Sequence, residues 1–256
     1  MNFLTVTLSL VMVFGLLKAH ASPVKYKDGS TELEGYLVRP KGDENIKRPV
    51  VLIVHAWTGL DDYARKRAEQ VAEQGYIGFA VDMYGEGKMA KDHLEAAKLS
   101  GAFRDDRSKM RKRMKAAYDF AKNLKGADPQ KIAALGYCFG GGAVLELARS
   151  GADVKAVASF HGNLDTPHPK DAKNIRGKVL VLNGAADPHV KASEIAAFEK
   201  EMEDGKVDWQ FINYGGAVHA FTDFTKKNSP HSDIAYNEKA DRRSWQATMD
   251  LFKEVF

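Results

Sequence analysis

The sequence predicts a single α/β domain with a mainly parallel central sheet and helices on both faces of that sheet. Two observations lead to this class. Short apolar runs alternate with longer segments of helical period along most of the chain, and this alternation is typical of parallel sheets with crossover helices. The run from Val50 to His55 is also continuously apolar, as expected of a strand buried on both faces of a sheet.

Seven runs have strand character because they are short, rich in β-branched or aromatic residues, and bounded by glycine, proline or polar residues. The first reads as an edge strand, since a polar, loop-like stretch leads away from it. In chain order the predicted strands are Glu34–Arg39, Val50–His55, Tyr76–Asp82, Ile132–Gly136, Val154–Phe160, Lys178–Asn183 and Val207–Asn213.

Six segments have helical periodicity or composition. The first is closed by Gly75, which stands where a helix C-cap glycine belongs. The segment from Met83 to Ser108 is expected to form a cap or a wall of the pocket. In chain order the predicted helices are Asp61–Gln74, Ala90–Ser100, Asp105–Lys125, Gly140–Ser150, Ala192–Glu203 and Glu238–Glu254.

The N-terminus has the pattern of a secretory signal. An apolar run from Phe3 to Leu17 precedes an Ala19-His20-Ala21 cleavage pattern, and it is short for crossing a bilayer. We therefore expect residues 1–21 to be removed, residues 22–256 to form the domain, and the protein to be periplasmic or secreted without stable membrane insertion. No Lys or Arg precedes the run, so an uncleaved anchor is the alternative.

Composition is that of an ordinary globular protein. Of 256 residues, 44% are hydrophobic and the formal net charge is +4, which gives no indication of nucleic-acid binding. The densest basic run is expected to be a solvated helix face; it comprises Lys109, Arg111, Lys112, Arg113 and Lys115.

The chain's single cysteine stands in the sequence Gly136-Tyr137-Cys138-Phe139-Gly140, between a predicted strand and a predicted helix. This is the pattern of a nucleophile elbow with sulfur in place of the serine oxygen. Glycines flank such a turn because a Cβ there would strike the neighbouring strand or helix. A lone cysteine in an apolar context is often only a small buried hydrophobe, but the two glycines favour a nucleophile.

Two further residues follow strands in the order required of a catalytic triad. Asp187 follows the strand that ends at Asn183, and His219 lies in a glycine-containing loop after the strand that ends at Asn213. The order nucleophile, acid, histidine is that of α/β-hydrolases. In this reading His219 takes the thiol proton of Cys138, and Asp187 fixes the imidazole tautomer.

Attack on a carbonyl places negative charge on oxygen, and two backbone amides are expected to receive it. The Phe139 amide lies at a helix start, and the Trp57 amide follows the Val50–His55 strand. Five residues near strand ends or the histidine loop are predicted to line the substrate pocket: His55, Tyr84, Phe160, His161 and Phe221. A metal site at His55, His161 and His189 is disfavoured because their spacing matches no zinc signature.

Together these motifs resemble the dienelactone hydrolase family, the cysteine-dependent branch of the α/β-hydrolase fold. The resemblance runs from Arg39-Pro40 through VVLIVHAWTG, VDMYG, GYCFGG, NGAADP and GGAVHAFT to YNEKADRRSW. It implies the α/β-hydrolase fold, Cys138, Asp187 and His219 as catalytic residues, Trp57 and Phe139 as the oxyanion hole, and no cofactor or metal.

The sequence departs from the enzymes that gave the family its name. Ala56 stands where they carry a glutamate that keeps the resting thiol neutral, and Asp223 where they carry an arginine that grips a substrate carboxylate. We therefore expect a standing Cys138–His219 ion pair, and a substrate other than an anionic lactone unless Arg104 or Arg107 compensates for Asp223.

The expected function is hydrolysis of a carboxylic ester, lactone or thioester of a small molecule through a thioacyl-enzyme, by a monomer or a homodimer. Two alternatives remain open. The fold could serve as a catalytically weak binding module, or Cys138 could be a periplasmic redox thiol, although no second cysteine is present to resolve an oxidised form.

Overall fold

A computed structural model describes residues 20–42 and 45–256. Within them, eight strands form one sheet in the order β1-β2-β4-β3-β5-β6-β7-β8. The strands are β1 His20–Asp28, β2 Thr31–Arg39, β3 Arg48–Val54, β4 Ile77–Val81, β5 Ala127–Tyr137, β6 Ala156–Phe160, β7 Lys178–Gly184 and β8 Trp209–Tyr214. Strands β3 to β8 are parallel, whereas β1 and β2 run antiparallel to their neighbours. This confirms the predicted mainly parallel sheet.

Helices cover both faces of the sheet, as predicted. They are α1 Asp62–Glu73, α2 His93–Arg104, α3 Arg107–Lys122, α4 Phe139–Arg149, α5 Ala192–Asp204 and α6 Glu238–Val255. Apolar residues of α2, α3, α4 and α5 belong to one core cluster, and those of α1 and α6 belong to a second cluster on the other face. Two short 3₁₀ helices, Pro169–Asn174 and Phe224–Lys226, were not predicted.

The edge of the sheet differs from the prediction. β2 is not an edge strand, because β1 pairs with it along its whole length, from His20 opposite Arg39 to Asp28 opposite Thr31. The β1 segment alternates polar and apolar side chains and buries only Tyr26, so its apolar signal is weak. The predicted signal segment lies outside the described residues except for His20 and Ala21. None of the helices in the described ranges is long and apolar enough to cross a membrane.

The basic run on α3 is only partly a solvated face. The Arg113 side chain is 5% exposed and pairs with Asp28, with 3.0 Å between Nε and Oδ2. Arg111 pairs with Glu146 and Asp171 at 2.7 and 2.6 Å. The prediction was wrong for these two arginines, because acidic partners from distant parts of the chain compensate their charges.

Candidate active site

Cys138 lies in a sharp turn between β5 and α4, and its backbone has φ of 53° and ψ of −115°. A positive φ is strained for a residue with a Cβ, and it is held here by contacts on both sides. A Cβ on Gly136 would lie 2.1 Å from the Gly140 carbonyl oxygen, and one on Gly140 would lie 2.3 Å from the Val54 carbonyl oxygen. Gly136 is therefore needed for the turn to close on itself, and Gly140 is needed for the turn to pack against the end of β3.

The three residues predicted as a triad lie together at the carboxyl ends of the strands. His219 Nδ1 is 2.8 Å from Asp187 Oδ2, and the Asp187 side chain is fully buried. The His219 side chain is 13% exposed, and the charge of Cys138 acts on it to raise its pKa. The thiol is partly exposed, so a substrate can reach it.

The electrostatics of the pair favour a thiolate and an imidazolium. Burial raises the pKa of Cys138, but His219, the Phe139 amide and Arg104 outweigh it, and the net pKa lies below its ordinary value. Burial lowers the pKa of His219, but the Cys138 charge and the hydrogen bond to Asp187 raise it to about 10. Both shifts favour a proton on His219 and a thiolate at Cys138.

Two backbone amides, those of Phe139 and Trp57, are the predicted oxyanion donors. The Phe139 N–H stands at the first position of α4, and its effect on the thiol is to lower the pKa of Cys138. The Trp57 N–H donates to no acceptor among the described residues. The Trp57 carbonyl oxygen, in contrast, accepts a hydrogen bond of 2.7 Å from Tyr84 Oη, which fixes the peptide after β3. Burial, followed by the charge of Cys138, raises the pKa of Tyr84, so its phenol remains a donor.

The other four predicted pocket residues are buried behind the site. His55 is fully buried; its Nδ1 is 2.5 Å from the Ala56 carbonyl oxygen, and its Nε2 accepts from the Met83 N–H at 3.3 Å. Phe160, His161 and Phe221 are between 0 and 3% exposed. These four residues support the reactive groups and offer a substrate very little surface.

Comparison with known proteins identifies the family of this chain. The model of the dienelactone hydrolase family matches residues 33–256. This chain belongs to the dienelactone hydrolase family. It is accordingly a dienelactone-hydrolase-like hydrolase with the α/β-hydrolase fold, as the sequence motifs predicted.

Three similar proteins illustrate the match. A solved structure named m3DLH is 38% identical with a TM-score of 0.90, and the match covers 93% of this chain and 99% of that one. A dienelactone hydrolase-like promiscuous phosphotriesterase from metagenomic libraries is 36% identical with a TM-score of 0.88, with the same coverage of both chains. An uncharacterized protein of Caenorhabditis elegans is 37% identical over 155 residues, which span 59% of this chain and 98% of that protein.

The two departures from the enzymes that gave the dienelactone hydrolase family its name have clear structural positions. Ala56 offers no carboxylate, and its carbonyl oxygen accepts from the Gly59 N–H at 3.3 Å. Asp223 caps the second 3₁₀ helix, accepting from the Thr225 N–H and hydroxyl at 2.9 and 2.7 Å. The Asp223 carboxylate is therefore already hydrogen-bonded within this turn.

The two arginines considered as compensation for Asp223 differ. Arg107 Nη2 is paired with Asp165 Oδ2 at 2.7 Å. Arg104 Nη2 donates to Ser100 Oγ at 2.9 Å. Its charge acts on the thiol instead, helping to lower the pKa of Cys138 after His219 and the Phe139 amide.

Sequence reasoning missed the role of Asp82 and did not place His189 beside His219. Asp82 accepts hydrogen bonds from the N–H groups of Tyr84, Gly85 and Gly87 at 2.8 to 2.9 Å, and thereby shapes the loop after β4. Its position directly after a buried strand was the available signal. The His189 ring packs on His219 with ring centres 4.9 Å apart. No group of three or more potential metal ligands is found within residues 20–42 and 45–256.

Proposed function

We propose that the chain hydrolyses a carboxylic ester, lactone or thioester of a small molecule, with Cys138 as nucleophile, His219 as acid and base, and Asp187 as its orienting carboxylate. The observation that carries the proposal is the geometry around His219. Its Nδ1 meets the buried Asp187 carboxylate at 2.8 Å. The charge of Cys138, which stands on a strained strand-to-helix turn, raises the pKa of His219 against the effect of burial. Such an arrangement activates a nucleophile and has no evident structural purpose.

The reaction begins with the Cys138 thiolate attacking the carbonyl carbon, which forms a carbon–sulfur bond and moves the carbonyl electron pair onto oxygen. The Phe139 and Trp57 N–H groups stabilise that oxyanion. When the intermediate collapses, the bond to the leaving oxygen or sulfur breaks, and His219 gives its proton to the leaving group. A thioacyl-enzyme remains, with His219 neutral.

The second half repeats these steps with water. Neutral His219 removes a proton from a water molecule, and the resulting hydroxide attacks the thioester carbon. The same two amides hold the oxyanion until the carbon–sulfur bond breaks. The acid leaves, and the thiolate–imidazolium pair returns, so that protons and electrons balance over the cycle.

The proposal is tested with purified protein on p-nitrophenyl esters, lactones and thioesters. We expect turnover by the wild type and loss of at least about a thousandfold in kcat for Cys138→Ala and His219→Ala. His168→Ala, at an exposed histidine, is the matched control and should retain activity. Hydrolysis that survives Cys138→Ala would refute the nucleophile, and absence of any turnover would favour the binding-module alternative.

A second candidate function, phosphotriester hydrolysis, is favoured by the 36% identical relative described as a promiscuous phosphotriesterase. The same thiolate could attack phosphorus and expel an aryloxide. Diethyl p-nitrophenyl phosphate is the probe. Release of p-nitrophenolate that disappears in Cys138→Ala would support this activity, and no release above the rate in buffer would exclude it.

We also propose export with removal of residues 1–21, supported by the apolar run and the Ala19-His20-Ala21 pattern. Expression of the full chain in a bacterium, fractionation and mass determination test it. A mature N-terminus at Ser22 in the exported fraction is the expected result, and an intact Met1 in the cytoplasm would contradict it.

A further inference from the structure

The guanidinium of Arg113, on α3, is buried where three other parts of the protein meet it. The side chain is 5% exposed. Its Nε donates to Asp28 Oδ2 in β1 at 3.0 Å, and its Nη1 donates to the Met83 carbonyl oxygen in the loop after β4 at 2.5 Å. Its Cζ lies over the Phe103 ring of α2, 5.5 Å from the ring centre. The proposed mechanism uses none of these four residues.

The direction of both hydrogen bonds is fixed by the groups themselves. A guanidinium can only donate, whereas an ionised carboxylate and a backbone carbonyl oxygen can only accept. The other cation facing the Asp28 carboxylate is Lys112, whose Nζ is 3.8 Å from Oδ1. A buried arginine without a carboxylate partner is costly. Asp28 therefore allows Arg113 to remain at the Met83 carbonyl oxygen.

That carbonyl belongs to the peptide between Met83 and Tyr84, which is held on both sides. Arg113 donates to its oxygen, and its N–H donates to Asp82 Oδ1 at 2.9 Å. Because a peptide unit is planar, these two bonds fix the Cα from which the Tyr84 side chain extends. The Tyr84 phenol in turn donates to the Trp57 carbonyl oxygen at 2.7 Å. Arg113 thus helps to set the position of the phenol that holds the Trp57 segment.

The Phe103 ring extends the same support to the second proposed oxyanion donor. It is 4% exposed, and its centre lies 6.0 Å from that of the Tyr84 ring and 6.1 Å from that of the Phe139 ring. The rings of Tyr84 and Phe139 are themselves 5.8 Å apart. A guanidinium over an aromatic ring stabilises the contact. Arg113 therefore packs against a ring cluster that includes Phe139, whose N–H is the second donor.

The strand that supplies Asp28 precedes the part of the chain that matches the family model, which begins at residue 33. Side chains two positions apart in a strand lie on the same face, and Tyr26 joins Asp28 there. Tyr26 Oη donates to the Asp82 carbonyl oxygen and accepts from the Asp82 N–H, both at 3.1 Å. β1 therefore supports the start of the loop after β4 directly through Tyr26, and its next residue through Asp28 and Arg113.

We propose that Asp28 and Arg113 are a positioning pair, which holds the loop after β4 so that the Trp57 and Phe139 N–H groups are correctly placed for the oxyanion. The N-terminal strand then contributes to the rate of the reaction as well as to the fold. The inference rests on the proposed function, because it concerns the two amides assigned to the oxyanion. Arg113 itself touches no reacting atom and acts through the residues between it and those amides.

The test compares two arginines of the same helix. Arg113→Met keeps an unbranched side chain but removes the charge and the N–H donors. Arg111→Met is the matched control, because Arg111 is also on α3 and also forms two short ion pairs. Its partners are Glu146 in α4 and Asp171 in the first 3₁₀ helix, at 2.7 and 2.6 Å. This control removes a buried ion network of α3 without touching the loop after β4.

Three measurements are made on the full folded chain. We expect Arg113→Met to lower kcat on p-nitrophenyl acetate about tenfold with KM nearly unchanged, since misplaced donors weaken binding of the oxyanion and not of the ester. Alkylation of Cys138 by iodoacetamide should keep the wild-type rate, because displacement of iodide at a saturated carbon forms no oxyanion. Amide hydrogen exchange at Tyr84 and Gly85, whose N–H groups bind Asp82, should become faster. Arg111→Met should match the wild type in all three.

Wild-type kcat in Arg113→Met would overturn the inference, as would an equal loss of kcat in Arg111→Met. Alkylation slowed as much as kcat would also overturn it, because the damage would then lie at the thiol. If Arg113→Met does not fold, Asp28→Asn removes the charge that holds the guanidinium and keeps an acceptor. It must then lower kcat and spare alkylation in the same way.

Failure of the proposed function is recognised separately. Hydrolysis that persists in Cys138→Ala, or a wild type without turnover, refutes that function before any arginine variant is measured. Amide exchange requires no turnover. Unchanged exchange at Tyr84 and Gly85 in Arg113→Met would therefore overturn the inference on its own, whatever the substrate of the enzyme.

Discussion

Tyr84 Oη donates a hydrogen bond of 2.7 Å to the carbonyl oxygen of Trp57, which links the loop after β4 to the loop after β3. The Tyr84 loop is itself fixed by the Asp82 carboxylate. The Trp57 peptide, whose N–H is proposed to hold the oxyanion, is thus positioned by a phenol on a neighbouring strand end. Oxyanion-hole donors act by being preorganised, so the phenol is expected to matter for the rate.

We predict that Tyr84→Phe lowers kcat on p-nitrophenyl acetate by about tenfold and changes KM less. The ring remains, but the Trp57 carbonyl loses its donor and the peptide is held less firmly. Tyr118→Phe is the control, because the phenol of Tyr118, which lies on α3, also donates to a backbone carbonyl oxygen, that of Asp153 at 3.3 Å. Equal kcat values for Tyr84→Phe and the control would contradict the positioning role.

The state of the thiol gives a second prediction. Because the pKa of Cys138 is below its ordinary value, its alkylation by iodoacetamide at about pH 6.5 should be at least about tenfold faster than that of a free thiol. In His219→Asn the imidazolium is absent and burial dominates, so the rate at that pH should fall below that of a free thiol. His168→Asn, at an exposed position, should behave as the wild type. A wild-type rate that follows ordinary thiol titration would exclude the ion pair.

Sequence patterns predicted most of the fold and the candidate site residues at the strand ends. Buried parallel strands such as β3 are recognisable because apolar residues are needed on both faces, and strand ends in such sheets locate Cys138, Asp187 and His219. β1 escaped prediction because an antiparallel edge strand buries one face only, and its alternating sequence resembles a loop. The hydrogen bond from Arg67 Nη2 to the Thr222 carbonyl oxygen could not be predicted, since the two residues are 155 positions apart along the chain and meet only in the folded protein.

The glycines of the elbow give a third prediction, about stability. A Cβ on Gly140 would lie 2.3 and 2.6 Å from the carbonyl oxygens of Val54 and His55, which are backbone atoms of β3 and its end. Gly140→Ala should therefore lower the free energy of unfolding by about 3 kcal/mol or prevent folding. Gly101→Ala on α2, where the nearest atom would be 3.9 Å away, should raise it by about 0.5 to 1 kcal/mol. Urea denaturation checks both, and a fully stable Gly140→Ala would contradict the close packing.

Stability at low pH provides the last prediction. Burial lowers the pKa of both His55 and His161 from the ordinary value, so as pH falls below about 6.5 the unfolded state protonates these rings before the native state does. The unfolded state then binds more protons, and the free energy of unfolding must decrease with decreasing pH. The limiting slope is about 1.4 kcal/mol per pH unit for each ring.

His161→Asn removes one ring, so its slope between about pH 6.5 and 5 should be shallower by up to that amount. Contributions from the carboxylates are shared by both proteins and cancel when the slopes from urea denaturation are subtracted. Equal slopes in the wild type and His161→Asn would mean that His161 is already protonated in the folded protein, which the contacts with His219 and Arg67 oppose.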